Sequence, residues 1–218
     1  MRIGWFIAFA AFASSAFAQV ATFQQLDPMI PTPSAQRIAS GAPGSGYWQN
    51  TADYDIKVEL DDVKRAITAE ATVTYHNASP DSLSYLWVQL DQNYLSHDAD
   101  SRLTPNTRRG IDPGKITYTA LDRLLTYEEY DGELKIAKLT DSAGKDLPHA
   151  IVKTMLRIDL PEVLKPGNRF VFKIAWDFPI NDCKHLSART GYELFEDDGN
   201  CIYTIAQWFP RMAAYTDY

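Results

Sequence analysis

Three long segments of the 218-residue chain alternate apolar and polar residues with a period of two, which confines them to sheets with one wet face. In Asp53-Tyr-Asp-Ile-Lys-Val-Glu-Leu60 the apolar set Tyr54, Ile56, Val58 and Leu60 interleaves with Asp53, Asp55, Lys57 and Glu59. Asp61, Asp62 and Lys64 make a turn, and the return run Ile67 to Tyr75 puts Ile67, Ala69, Ala71, Val73 and Tyr75 on one face. The third segment, Arg169 to Phe178, alternates Phe170, Phe172, Ile174, Trp176 and Phe178 with shorter or charged residues after the turn Lys165-Pro-Gly-Asn168. A chain so patterned cannot bury its apolar faces as helices.

Other strands are expected at Leu83 to Leu90, Lys115 to Thr119, Glu133 to Leu139, Ile151 to Leu160 and Cys201 to Trp208, each bounded by turn-forming residues. Leu121 to Tyr130 is the one segment with a helical pattern. No internal repeat and no parallel-sheet signature is present. The expected fold is therefore all-β: an antiparallel β-sandwich of about eight or more strands.

The first residues have the form of an export signal. Met1-Arg2 is positive, Ile3 to Ala13 is apolar but short for a bilayer, and Ala16-Phe17-Ala18 suits a signal peptidase. Residues 1–18 are read as a signal peptide cleaved before Gln19, with a membrane anchor as the alternative. Residues 19–46, rich in Pro, Gly and Ser, read as a flexible or partly extended lead-in, and the folded part is expected from Tyr47. Export changes the reading of Cys183 and Cys201. With 17 residues between them and no metal-ligand spacing, an intrachain disulfide is expected; it would contribute roughly 3 kcal/mol by loop entropy. Two unpaired thiols are the alternative.

Chemistry is harder to find than architecture. The acidic balance, 28 Asp+Glu against 21 Lys+Arg, offers no basic stripe for nucleic acid. His76, His97, His149 and His185 are scattered, with none at the i, i+4 spacing that puts two metal ligands on one helix face. No Gly-x-Ser-x-Gly elbow, dinucleotide fingerprint or phosphate-binding loop occurs. Asp61-Asp62, Glu128-Glu129 and Glu196-Asp197-Asp198 lack calcium-loop spacing and read as solvated groups. Asn77-Ala-Ser79 is a glycosylation sequon by letter, followed by Pro80. The last quarter is instead crowded with aromatics: Tyr192, Phe195, Tyr203, Trp208, Phe209, Tyr215 and Tyr218, with Met212 among them. These either complete a core or form a surface that another domain covers.

At these residues the sequence resembles a known family. Tyr47-Trp48-Gln49, Gly191-Tyr192 followed by Asp198-Gly199-Asn200, and above all Tyr203-Thr-Ile-Ala-Gln-Trp-Phe-Pro-Arg-Met212 with Tyr215 and Asp217-Tyr218 resemble secreted bacterial zinc aminopeptidases, the gluzincins typified by aminopeptidase N and leukotriene hydrolase. The resemblance implies that residues 47–218 are the saddle-like N-terminal β-domain of such an enzyme. It implies that the aromatic C-terminal surface packs on a catalytic domain that handles the peptide substrate. The GxMEN loop and the zinc-binding HExxH helix of the family are absent from these residues, so no catalytic residue, metal ligand or cofactor is assigned to this chain. One residue carries over: Gln207 matches the family's Gln that helps hold the substrate's free N-terminus. A Gln at a strand end can equally bond backbone. The expectation from the resemblance is the non-catalytic part of an exported zinc metallo-aminopeptidase, periplasmic or extracellular, without a stable membrane anchor. The alternative is a stand-alone secreted β-sandwich that binds a protein or glycan.

Overall fold

A computed structural model describes residues 33–100, 117–184, 186 and 188–216, excepting the side chains at 123, 124, 127 and 128. The expected signal peptide and its cleavage point, the lead-in before residue 33, His185, Asp217 and Tyr218 lie outside the described residues. The described residues fall into two compact units, within 33–47 and 48–216. In the first, the described residues fold back on themselves. Arg37 bridges Pro43, and Gly44 and Gly46 donate to the carbonyls of Gln36 and Ala35 at 2.7 and 2.8 Å. A side chain on Gly44 would strike the Ala35 carbonyl, so glycine is what permits this close approach.

The second unit is an antiparallel sandwich. Strands β1 (Thr51–Asp61), β2 (Ala66–His76), β3 (Leu83–Gln89), β4 (Lys135–Asp141), β5 (His149–Val152), β6 (Met155–Leu164), β7 (Arg169–Pro179), β8 (Thr190–Leu194), β9 (Cys201–Ile205) and β10 (Arg211–Met212) follow in chain order. Helix α1 (Tyr118–Glu129) and a 3-10 helix (Asp91–Leu95) interrupt them. One sheet has the order β1-β2-β7-β4, the other β10-β3-β6-β5, and β8 and β9 form a separate hairpin.

The two longest alternating segments of the sequence, on β2 and β7, pair with each other over all their residues, from Ala66 opposite Pro179 to His76 opposite Arg169. Their inward residues are complementary in size: Ala69 faces Trp176 and Ala71 faces Ile174, so the large side chains fill what the alanines leave. Val88, Leu156 and Ile158 of the other sheet close the core from across. Strand β1 is an edge strand, and its alternation loses burial toward the β1–β2 turn, where Val58 and Leu60 are exposed.

Several expectations shift for local reasons. The single run Ile151 to Leu160 is two strands, β5 and β6, joined by a two-residue loop in which Lys153 has φ 55°. Strand β6 continues past Leu160 because Pro161 is absorbed in an irregularity of the β3–β6 ladder between Tyr85 and Leu83. The expected strand at Lys115 to Thr119 lies partly outside the described residues. In the part described, Thr117 caps α1 by accepting from the Ala120 amide at 3.1 Å. Asn77, read as a sequon, is 1% exposed, and its amide donates to the carbonyls of Asp81 and Leu164 at 2.8 and 3.1 Å.

Core truncation should therefore be costly and edge polarity cheap. Leu156→Ala, at a side chain with no exposure, is expected to lower unfolding free energy by about 2–5 kcal/mol in urea titrations. Val58→Thr on the exposed half of β1 should change it by less than about 0.5 kcal/mol.

Candidate functional site

Gln207 follows β9 at a point where the backbone is forced out of its ordinary range. Its φ is 56°, one of three non-glycine residues among those described with a left-handed backbone. Both neighbours are pinned. Thr190 Oγ1 donates to the Ala206 carbonyl at 2.9 Å, and Trp176 Nε1 donates to the Trp208 carbonyl at 3.1 Å. One anchor comes from β8 and the other from the core of β7, so the two peptide units around Gln207 are fixed from different sides. Such over-determination is what sustains a strained residue, at a cost on the order of 1–3 kcal/mol. The exposed side-chain amide has no hydrogen-bond partner among the described residues.

Gln207 lines a cavity of about 630 Å³ whose walls also include Asp91, Tyr94, Thr154, Arg189 and Thr190. Four pieces of chain meet there: the 3-10 helix, the β5–β6 loop, the entry to β8 and the exit from β9. Two of the three left-handed residues, Lys153 and Gln207, lie at this end, Lys153 directly before the wall residue Thr154. Asp91 is held by Arg211 of β10, whose Nε and Nη2 donate to the same carboxylate oxygen at 2.9 and 2.5 Å. Asn93 ties the floor together: its amide donates to the Lys153 carbonyl at 3.2 Å, and its oxygen accepts from the Leu134 amide at 2.8 Å.

The hairpin carrying Gln207 depends on Arg65, in the left-handed turn between β1 and β2 with φ 55°. Its guanidinium lies 5.1 Å from the centre of the Tyr192 ring and 5.6 Å from that of Tyr203, and donates to the Tyr203 hydroxyl. The Arg65 carbonyl accepts from the Ile180 amide at 2.7 Å. The hydrogen bond to Tyr203 holds the Arg65 pKa above its ordinary value, while burial is the main influence raising that of Tyr203.

The expected disulfide is not formed: Cys183 and Cys201 are both free. Cys183 N–H donates to the Tyr192 carbonyl on one flank of β8, whereas Cys201 sits on β9 along the other flank, opposite Leu194. Two strand spacings, about 10 Å, therefore separate them, beyond the reach of a bridge. Gly191 makes room for the Cys183 sulfur, which a side chain there would strike. Partial burial, with Asp182 and Glu193 nearby, pushes the Cys183 thiol above its ordinary pKa.

The aromatic cluster largely completes the sandwich. Tyr192, Tyr203, Trp208, Phe209 and Met212 pack against the main core, leaving Phe195 and Tyr215 as its exposed members among the described residues. Tyr215 is nonetheless fixed, stacked on Trp48 at 5.6 Å and donating to Asp81 at 2.8 Å. His76 pairs with Asp53, and His149 meets the Leu147 carbonyl. No three His, Cys, Asp or Glu side chains among the described residues come together to hold a metal. No helix among the described residues is long and apolar enough to cross a membrane. Sequence reading missed Arg189, Asp91 and Thr190 as site residues. The one signal for Arg189 and Thr190 was adjacency to a turn, since Arg189 precedes and Thr190 opens an unrecognised strand.

No family model matches the chain, and no curated protein matches it. Solved structures do. A variant of the M1 zinc metallopeptidase from Deinococcus radiodurans is 12% identical with a TM-score of 0.38, over 70% of this chain and 25% of its own. A variant bound to a Tyr-Ser-Ala substrate is 13% identical with a TM-score of 0.37, over 71% and 28%. The enzyme without the substitution is 12% identical with a TM-score of 0.38, over 69% and 25%. The chain thus spans about a quarter of the length of the solved structures it matches.

Two measurements follow from the geometry. Gln207→Gly is expected to raise stability by up to about 1 kcal/mol, because glycine relieves the left-handed strain while giving up some chain entropy; urea unfolding reads the difference. Thiol titration of the denatured, unreduced protein should count two free thiols. In the native state, iodoacetamide should modify Cys183 more slowly near neutral pH than an ordinary exposed thiol, accelerating as pH rises, since a raised pKa lowers the thiolate fraction.

Proposed function

We propose that this chain is the non-catalytic β-domain of an exported zinc metallo-aminopeptidase, and that Gln207 helps to hold the free N-terminus of a peptide substrate. The observation that carries the reading is Gln207: a cavity-lining residue on a strained backbone clamped from both sides, its side-chain amide unpartnered among the described residues. The similarity of Tyr203 to Met212 to the close of the family's β-domain supports the same assignment.

In this reading the Gln207 carbonyl oxygen accepts a hydrogen bond from the substrate's terminal ammonium and orients it, with no proton changing owner at this chain. The described residues do not supply a zinc site, and HExxH is absent from the sequence. Zinc, which polarises the scissile carbonyl in such enzymes, is therefore assigned to another part of the parent protein. The exposed Phe195 and Tyr215 are candidates for contact with that part.

The mass of the native protein, captured from its source and measured by mass spectrometry, tests the reading first. A mass several-fold above that of Gln19–Tyr218, with zinc bound and aminopeptidase turnover that a chelator abolishes, is the expected result. A mass matching Gln19–Tyr218 alone would overturn it in favour of a secreted binding module. In the longer protein, Gln207→Ala should raise KM for substrates with a free N-terminus by roughly tenfold or more, the worth of a hydrogen bond to a charged group, and should leave N-acetylated ligands unaffected.

A further inference from the structure

We infer that the Gln207 cavity selects peptides whose first residue bears a carboxylate, and that Arg189 is the residue that selects them. The inference rests on the reading of Gln207 given above and deepens it. Two charged side chains border the cavity among the described residues, Asp91 and Arg189. They are not equivalent. Asp91 is 24% exposed and already neutralised by Arg211, which donates to it twice. Arg189 is exposed and has no carboxylate partner among the described residues. Counting Asp91, Arg211 and Arg189 together leaves one uncompensated positive charge, in a protein whose formal net charge is −7. An uncompensated guanidinium beside a cavity favours an anionic group, and its planar fork suits a carboxylate.

The hairpin brings Arg189 and Gln207 to the same stretch of the cavity wall. Thr190 pairs with Ile205, so the next step of the register puts Arg189 beside Ala206, adjacent to Gln207. The same alignment is secured by the Thr190 hydroxyl on the Ala206 carbonyl. Neighbouring strands lie about 5 Å apart, so these two cavity-lining residues leave the chain close together. In the proposed arrangement a ligand bonded to Gln207 by its terminal ammonium offers the side chain of its first residue, and not its distant C-terminus, to Arg189. Arginine also repels a Lys or Arg in that position, so attraction and exclusion act together.

The test is a nitrogen-15 correlation titration of the full chain with four peptide amides: Glu-Ala-Ala, Gln-Ala-Ala and the N-acetylated form of each. Glu and Gln differ at that position chiefly in charge. The expected result is that Glu-Ala-Ala amide shifts the Arg189 Nε–H and the Gln207 side-chain amide resonances and binds about two- to fivefold more tightly than Gln-Ala-Ala amide, the range of a partly screened ion pair. That ratio should fall to about one in Arg189→Gln and persist in Arg157→Gln, the same charge change on the outer face of β6. Equal binding of the Glu and Gln peptides, with Gln207 shifted, overturns the role of Arg189 and leaves the reading of Gln207 standing. A Glu preference that survives N-acetylation without any Gln207 shift supports Arg189 and overturns the reading of Gln207. Absence of binding by all four peptides at millimolar concentration overturns both.

Discussion

Everything in the larger unit is arranged around the pairing of β2 with β7. These strands are joined over eleven residues each, and their facing inward residues alternate in bulk, so that Trp176 and Ile174 occupy space that Ala69 and Ala71 leave open. A one-residue slip would turn every one of these side chains to solvent and bring threonines and charges inward. The pairing therefore specifies register as well as cohesion. It also positions the cavity, because the buried Trp176 that anchors the pairing reaches out through Nε1 to hold the Trp208 carbonyl beside Gln207.

That coupling explains how a strained residue persists in a modest domain. A left-handed glutamine is unfavourable on its own, and it survives where rigid neighbours leave the backbone no alternative. Here the constraint is distributed. Thr190 holds one side, Trp176 the other, and Arg65 stacks on Tyr192 and Tyr203 to hold the hairpin as a whole. The backbone around Gln207 consequently sits at a strand end with little freedom to drift.

Where the sequence pattern was strong, the architecture was readable in advance. The alternations on β1, β2 and β7 gave strands, faces and the all-β class, because a period of two has one structural meaning. It was less readable where two signals competed. The apolar run at Ile151 to Leu160 hides a tight loop at Lys153, since no glycine or asparagine marks the left-handed residue. Strand β8 escaped notice because its ends are set by the hairpin partner rather than by its own composition. The cysteine pairing failed for a related reason: spacing along the chain says nothing of which flank of β8 each residue occupies. At the candidate site, Gln207 was visible as a motif residue. Arg189 was not, since what distinguishes it is that no carboxylate among the described residues pairs with it, and that is a property of three dimensions.

The burial of Asn77 has a practical corollary for how the protein is made. Its amide is wholly engaged in tying the end of β2 to the carbonyls of Asp81 and Leu164, and the side chain is almost free of solvent contact. A eukaryotic secretory pathway modifies sequons on the nascent chain, before any such corner exists. A sugar attached then could not be accommodated afterwards, and the strand connection beside the main sheet would be left open. Passage through a glycosylating compartment would in this way select between a folded and an unfoldable form of the same polypeptide. A bacterial host, or Asn77 shielded by the Pro80 that follows the sequon, keeps the corner available to the backbone that needs it.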